Sequence, residues 1–323
     1  MKIGLILLAA GSLFAQDGNI SGPTSGFVFD HAARSLRPVL GVPGASTIGA
    51  PLRASTELTA AWVSPGLDFE IARGGDGSLR LYRLNNGDAS EAGLDGTASG
   101  PQDVIYSPRG RAALLTTSAG AIVLAGLPDR PRVAGKVDVP GYSHRGAPRI
   151  PGGVNSTPRL STAVSDDGAY VLVANGGVVR VVTTSGENRR LADASDAAVA
   201  FAPESHDAAV ADAASGVAVY RNLDGAPSLS VLAAQEDFGS PGGVAFSNDG
   251  KRVFVAASKA RGVIAYDASN GAKSLIACEC SPSLLVRMGD VFRLNEFGGD
   301  PLWMLDAARS EPQIVFVPAL APQ

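Results

Sequence analysis

The stretch Gly243 to Lys273, GVAFSNDGKRVFVAASKARGVIAYDASNGAK, limits the possible folds more than any other part of the chain. Val244 and Phe246, then Val253 and Val255, then Val263 and Ala265 alternate with small or polar residues. Period two marks short strands that bury one or both faces. Ser247-Asn248-Asp249-Gly250 separates the first two strands; it reads as a tight turn because Asn and Asp tolerate left-handed geometry and Gly has no Cβ to clash. Ser258 to Gly262 turns the second strand into the third, and Asp267 to Gly271 opens a fourth, Ser274 to Cys278. The unit is therefore a small antiparallel sheet of four strands in about 40 residues.

The unit recurs. Ser107-Pro108-Arg109-Gly110 precedes Ala112 to Thr116, Ser165-Asp166-Asp167-Gly168 precedes Tyr170 to Ala174, and Ala202-Pro203-Glu204-Ser205 precedes Ala208 to Ala211. Trp62 to Gly66 begins another copy and Ser283 to Arg287 a degenerate last one. Starts fall near residues 61, 103, 162, 198, 243 and 283, a spacing that predicts an all-β fold, a β-propeller of four-stranded antiparallel blades. About 44 residues per unit over residues 16–323 predict seven blades, with six as the alternative. Residues 16–60 must then supply a partial first blade or a ring closure. Gly26 to Asp30 and Ser35 to Gly41 match the third and fourth strands of the unit, whereas GVPGASTIGAPLRASTEL is rich in Pro, Gly and Ser and shows no clear strand.

Residues 247 to 273 resemble the bacterial YVTN-type β-propeller repeat, with its P-D-G-K turn, Y-V-A-N-like strand, V-x-V-[IY]-D strand and T-G-K turn. Residues 165 to 186, SDDGAYVLVANGGVVRVVTTSG, keep the turn, the second strand and the final Gly but lack the Asp. The resemblance implies a propeller and no particular ligand, since such propellers serve as binding scaffolds, surface proteins and occasionally enzymes. Trp-Asp repeats are the structural alternative, and no Trp-Asp dipeptide occurs.

Met1-Lys2 and the apolar run Ile3 to Ala15 read as a secretory signal peptide cleaved after Ala15, so export to the periplasm or outside the cell is expected. Leu13 at the −3 position fits that site less well than a small residue would. The run is too short to span a bilayer comfortably, and no later stretch is long enough, which predicts no membrane span. Charged residues are 18% of the chain, below the roughly 25% of an average one; many short strands and turns account for this. A net charge of −4 gives no basic footprint for nucleic acid.

Leu127 to Ser161 is the outlier in the repeat, a long inter-blade insertion. Val133 to Val139 can be a fourth strand, after which about twenty residues precede the next unit; loops of this length are usually functional or disordered. A connection between a fourth strand and the next first strand emerges beside the channel mouth, so Tyr142, His144, Arg145, Arg149 and Arg159 are the candidate ligand-binding residues. Arg offers bidentate bonds to anions and Tyr a stacking face.

Other chemistry is sparse. His31, His144 and His206 are the three histidines, none with a second ligand at metal spacing. Asp166-Asp167-Gly168 and Asn248-Asp249-Gly250 lie where hairpins need them and lack the rest of a calcium loop. Gly74-Gly75-Asp76-Gly77 reads as a hairpin turn, and no Gly-x-Ser-x-Gly elbow occurs. No catalytic residue, metal site or cofactor is assigned. Cys278 and Cys280 form either a local disulfide, which needs a bent backbone, or two free thiols. The favoured function is a monomeric module binding a protein, peptide or glycan. The alternative is a hydrolase or lyase whose active residues are dispersed over several blades.

Overall fold

The computed structural model describes residues 22–52, 57–85, 88–92, 94, 101, 103–117, 120–139, 160–175, 177–234 and 238–320. They form seven antiparallel sheets, six of four strands and the first of three. Sheet one holds β1 (Thr24–Asp30), β2 (Ser35–Val42) and β3 (Ala45–Ile48); sheet two holds β4 (Leu58–Val63), β5 (Phe69–Gly74), β6 (Leu79–Asn85) and β7 (Asp88–Ala92). Sheet three is β8 (Asp103–Tyr106), β9 (Ala112–Thr117), β10 (Gly120–Ala125) and β11 (Arg132–Val137). Sheet four is β12 (Ser161–Val164), β13 (Tyr170–Asn175), β14 (Val178–Thr183) and β15 (Asn188–Asp193). Sheet five is β16 (Ala197–Phe201), β17 (Ala208–Asp212), β18 (Gly216–Arg221) and β19 (Ser228–Ala233). Sheet six is β20 (Pro241–Phe246), β21 (Arg252–Ala257), β22 (Gly262–Asp267) and β23 (Lys273–Ala277). Sheet seven is β24 (Val286–Met288), β25 (Val291–Arg293), β26 (Leu302–Asp306) and β27 (Gln313–Val317).

Strands of each sheet follow in chain order from the ring's centre outward, and first strands meet first strands of the neighbouring sheets, as β12 meets β16 and β16 meets β20. The core lies between sheets. Ala209, Ala211, Val217 and Val219 of sheet five pack against Val244, Val253, Val255 and Tyr266 of sheet six. Comparable apolar layers join sheets four and five and sheets three and four. Burial of this kind, at roughly 25 cal/mol per Å² of apolar surface, is what holds such a ring together.

The first-to-second-strand turns have a common build. Ser107, Ser165 and Ser247 each accept a bond from the glycine three residues on, at 2.9, 3.0 and 3.0 Å, and Gly110, Gly168 and Gly250 take φ values of 73°, 71° and 70°. Only a residue without Cβ adopts that region freely. Sheet two places Leu67 there, at φ 61°.

Sheet one departs from the expectation that Gly26 to Asp30 and Ser35 to Gly41 are third and fourth strands. Glu57 accepts a bond from Gly75 N, in the second-to-third-strand turn of sheet two, at 3.1 Å, and Leu58 N donates to Arg34 O at 3.3 Å. The Arg34 turn therefore lies at the same end of the ring as the other second-to-third-strand turns. β1 runs toward that end, opposite to β4, and β3 touches the outermost strand β27. β1, β2 and β3 are thus second, third and fourth strands, and the innermost position is empty among the described residues. The sequence match misled because Asp30 and Asp267 cap their turns alike, each accepting from the backbone N–H groups two and three residues on.

Candidate functional site

The two ends of the ring differ in how they are tied. At the end carrying the first-to-second-strand turns, six sheets are knitted together. Gly289 N donates to Pro65 O at 2.7 Å, joining sheets seven and two across the position of sheet one. Asp166 accepts from Arg109 N at 2.7 Å and from Glu204 N at 2.8 Å, tying sheets three, four and five. Arg111 Nη2 bonds Glu204 at 3.0 Å, and Arg109 Nη2 reaches Asn248 O at 3.3 Å, crossing from sheet three to sheet six. Asn248 in turn donates to Asp290, and Arg287 donates to Asn248 and to Phe246 O while lying over the Phe292 ring. Burial and then the Arg109 guanidinium lower Arg287 to about 10, against the pull of Asp290 and Asp166. The Ser-x-x-Gly turns that mark the repeat in the sequence thus also supply links between sheets at this end.

At the opposite end the bonds run between neighbours. Trp62 Nε1 donates to Asp103 at 2.9 Å, Val199 N to Ser161 Oγ at 3.2 Å, and Ser240 to Asp196. Asp212, buried beneath Ser195 and Ser215, has both oxygens satisfied by turn donors; it holds a turn together, and hydrogen bonds keep its carboxyl low against the upward push of burial.

This end also carries a pocket of about 360 Å³ lined by Glu279, Cys280, Pro282, Asn295, Asp300 and Trp303 among others. It forms where the link from β23 to β24 meets the β25–β26 loop. Asn295 shapes that loop, accepting from Trp303 N at 2.7 Å and donating to Pro301 O at 3.0 Å. Gly242 and Gly243 let the link lie close, since a Cβ on Gly242 would sit 2.9 Å from Pro282 O and one on Gly243 3.0 Å from Leu285 N. Cys278 and Cys280 are joined as a disulfide with Cα atoms 5.1 Å apart, and β23 has already ended at Ala277. The bridge is compatible with its spacing because it sits in a bend.

Met1 to Ala15, Tyr142, His144, Arg145, Arg149 and Arg159 lie outside the described residues. The flanks of the long connection are described: Val137 and Val139 are buried in the layer between sheets three and four, with Leu160 against it. Both flanks belong to a fourth-to-first-strand link, so the connection starts and finishes at the end that carries the pocket. Among the described residues no group of three or more His, Cys, Asp or Glu could hold a metal. His31 follows β1 with its ring against Phe29. His206 is a turn residue whose two ring nitrogens face Asp167 and Asp224, both at 2.9 Å.

Sequence reasoning passed over Glu70. It is 1% exposed and its Oε2 has no hydrogen-bond partner among the described residues; burial raises its carboxyl to about 8. It pairs across the ladder with Tyr82, and Tyr82 with Ala72 packs against Phe29 of sheet one, so Glu70 faces sheet one. One charged residue in the apolar run FEIA was the available signal.

No protein-family model matches the chain, and no curated protein matches it. Solved structures do. A functionally unknown protein from Desulfotomaculum acetoxidans aligns with a TM-score of 0.58 at 12% identity, over 92% of this chain and 100% of that one. A putative 6-phosphogluconolactonase from Bacteroides fragilis aligns with a TM-score of 0.56 at 13% identity, over 92% and 94%. Kuenenia stuttgartiensis hydrazine synthase aligns at 0.51 and 13%, over 94% and 99%. At these identities the likeness is one of fold, and the chain is a seven-bladed β-propeller.

Proposed function

We propose that the protein is an exported binding module of the YVTN-repeat kind, acting as a monomer, whose protein, peptide or glycan ligand is met at the end of the ring away from the knitted turns. The carrying observation is the asymmetry of the two ends: one is cross-tied by Asp166, Arg109, Asn248 and Asp290, and the other bears the pocket beside Trp303. A partly exposed indole beside Glu279 and Asp300 suits a sugar, whose C–H face packs on a ring while its hydroxyls donate to carboxylates. The long connection, with Tyr142, His144, Arg145, Arg149 and Arg159, begins and ends on the same side. Export rests on the charged and apolar pattern of Met1 to Ala15.

A glycan array and a peptide library probed with the intact protein test this reading, together with Trp303→Ala and a chain in which a short Gly/Ser turn replaces Pro140 to Thr157. Shortening a loop costs little stability, so the blades still form. The intact protein should capture a defined ligand, and at least one of the two changes should weaken capture about tenfold or more. Capture of nothing by the intact protein, or equal capture by all three, ends the proposal.

A further inference from the structure

The pocket beside the β23–β24 link is walled in a way that chooses among sugars. Leu294 and Pro282 in its lining are buried, and Trp303 is partly exposed. The indole is well fixed: Trp303 N donates to Asn295 at 2.7 Å, Trp303 O accepts from Leu294 N at 2.9 Å, and Phe316 packs against the ring at 5.5 Å. Asn295 is already engaged through both ends of its amide. Apart from the Ser281 hydroxyl, the side-chain polar groups left for a ligand are two exposed carboxylates, Glu279 and Asp300. Neither has a hydrogen bond or ion pair among the described residues, and no Lys, Arg or His lines the pocket.

Glu279 sits inside the disulfide loop. The link from β23 to β24 is pinned where it leaves the sheet, by Cys278 N donating to Arg261 O at 2.9 Å. It is pinned again where it returns, by Ser283 N and Leu284 N donating to Leu294 O at 2.9 and 3.3 Å. Between these points run Glu279, Cys280, Ser281 and Pro282, all four in the pocket lining and none with a hydrogen bond among the described residues. Burial anchors Pro282. The bend that carries Glu279 is closed by the Cys278–Cys280 bridge, whose Cα atoms are 5.1 Å apart.

We infer that the pocket takes an amino sugar with a free ammonium group, its ring on Trp303 and its charge against Glu279 and Asp300, and that the Cys278–Cys280 disulfide positions Glu279 for it. Two carboxylates lining one pocket repel each other, and an ammonium relieves that repulsion through charge-assisted bonds where a neutral hydroxyl leaves it in place. Sulfated or uronic sugars would add a third negative charge. The indole face attracts a cationic ring further. At about 360 Å³ the pocket lies at the small end of ligand sites, roughly 300–1,000 Å³, which suits one ring of an oligosaccharide. Exposed carboxylates are screened, so selectivity comes from both acids acting with the indole. This ligand class deepens the binding-module reading and rests on it.

The test titrates the full oxidised chain by calorimetry with trimers of glucosamine, N-acetylglucosamine and glucose of the same linkage. The free-amine trimer should bind at least tenfold more tightly than the other two, and raising salt from about 50 to about 500 mM should remove most of that margin. Glu279→Gln and Asp300→Asn, at exposed positions, should each cut the margin at least threefold and leave the unfolding midpoint unchanged. Replacing both cysteines, Cys278→Ser with Cys280→Ser, should cut the margin as Glu279→Gln does and add nothing further when combined with it. Equal binding of the three trimers, a margin that survives salt or both acid substitutions, or tighter binding of trilysine overturns the ligand class. A margin untouched by loss of the bridge, or a loss shared equally by all three trimers, overturns the positioning role. If no trimer binds while the arrays show capture of another glycan or a peptide, the amino-sugar pocket falls and the binding module stands; if the arrays are also blank, both fall.

Discussion

Sheet six and the neighbourhood of sheets one and two are two versions of the same repeat, and they meet their neighbours differently. Sheet six offers Val244, Phe246, Val253 and Val255 to sheet five in a continuous apolar layer. Against Phe29 of sheet one, sheet two offers Leu58, Ala61, Ala72 and Tyr82, and Glu70 in the register position of Val253. A repeat that needs only apolar fill shows it by uniform alternation. Where one unit keeps the backbone and breaks the pattern with a buried acid, the change costs stability, because burying a carboxyl without a partner is unfavourable.

The comparison breaks first at the aromatic residues. Phe254 is fully buried and stacks against Phe292 at 5.7 Å, so Phe254→Ala should cost about 3–5 kcal/mol. Phe27, partly buried on β1, should cost about 1 kcal/mol as Phe27→Ala. Urea unfolding of the two variants decides it: comparable losses would mean that sheet one is as closely packed as sheet six.

Glu70 gives the next largest effect. Its carboxyl is held near 8 when folded against 4.5 for the free group, so its contribution is most favourable below 4.5 and is lost as pH rises to 8. Glu70→Val, which copies sheet six, should therefore stabilise by about 3 kcal/mol at pH 7 and by much less at pH 5. A gain independent of pH would show that the acid is hydrated. Asp166→Ala sharpens the contrast between the ends. It removes the acceptor of two backbone N–H groups, one from sheet three and one from sheet five, and should cost about 1–2 kcal/mol, with faster exchange at Arg109 and Glu204 amides as the local readout.

The ring could be read from the sequence because turn chemistry and alternation repeat. Ser-x-x-Gly turns locate the starts of β9, β13 and β21, and the expected starts near 103, 162, 198 and 243 fall on β8, β12, β16 and β20. Strand identity in sheet one could not be read, because an Asp that caps the next two or three N–H groups serves equally after a second strand and after a third. The cross-links at the knitted end were equally hidden. Asp166 and Asn248 look like turn residues, and only the ring's closure brings Arg109 from sheet three to Asn248 in sheet six. Glu70 was visible as a letter but not as a position, since only the ring's closure brings its face of β5 against Phe29 of sheet one.

The smallest expected effect is at His206, and its sign separates it from a simple surface histidine. Burial pushes its imidazole down, but hydrogen bonds to Asp224 and Asp167 outweigh that and raise it above 6.5. Both ring nitrogens face carboxylates, so only the protonated ring donates on both sides, with Tyr170 packed at 4.6 Å against the ring. A raised value means stability present below 6.5 and lost as pH climbs through the folded pKa. Because both acids are about half exposed, solvent screening limits the gain to a few tenths of a kcal/mol. Glu70 makes stability fall over an overlapping range, so the measurement belongs in Glu70→Val protein. There, His206→Gln should lower the unfolding midpoint at pH 5.5 and leave it unchanged at pH 8.5. An equal drop at both values would assign His206 to packing against Tyr170 and remove it from the electrostatic ties between sheets four and five.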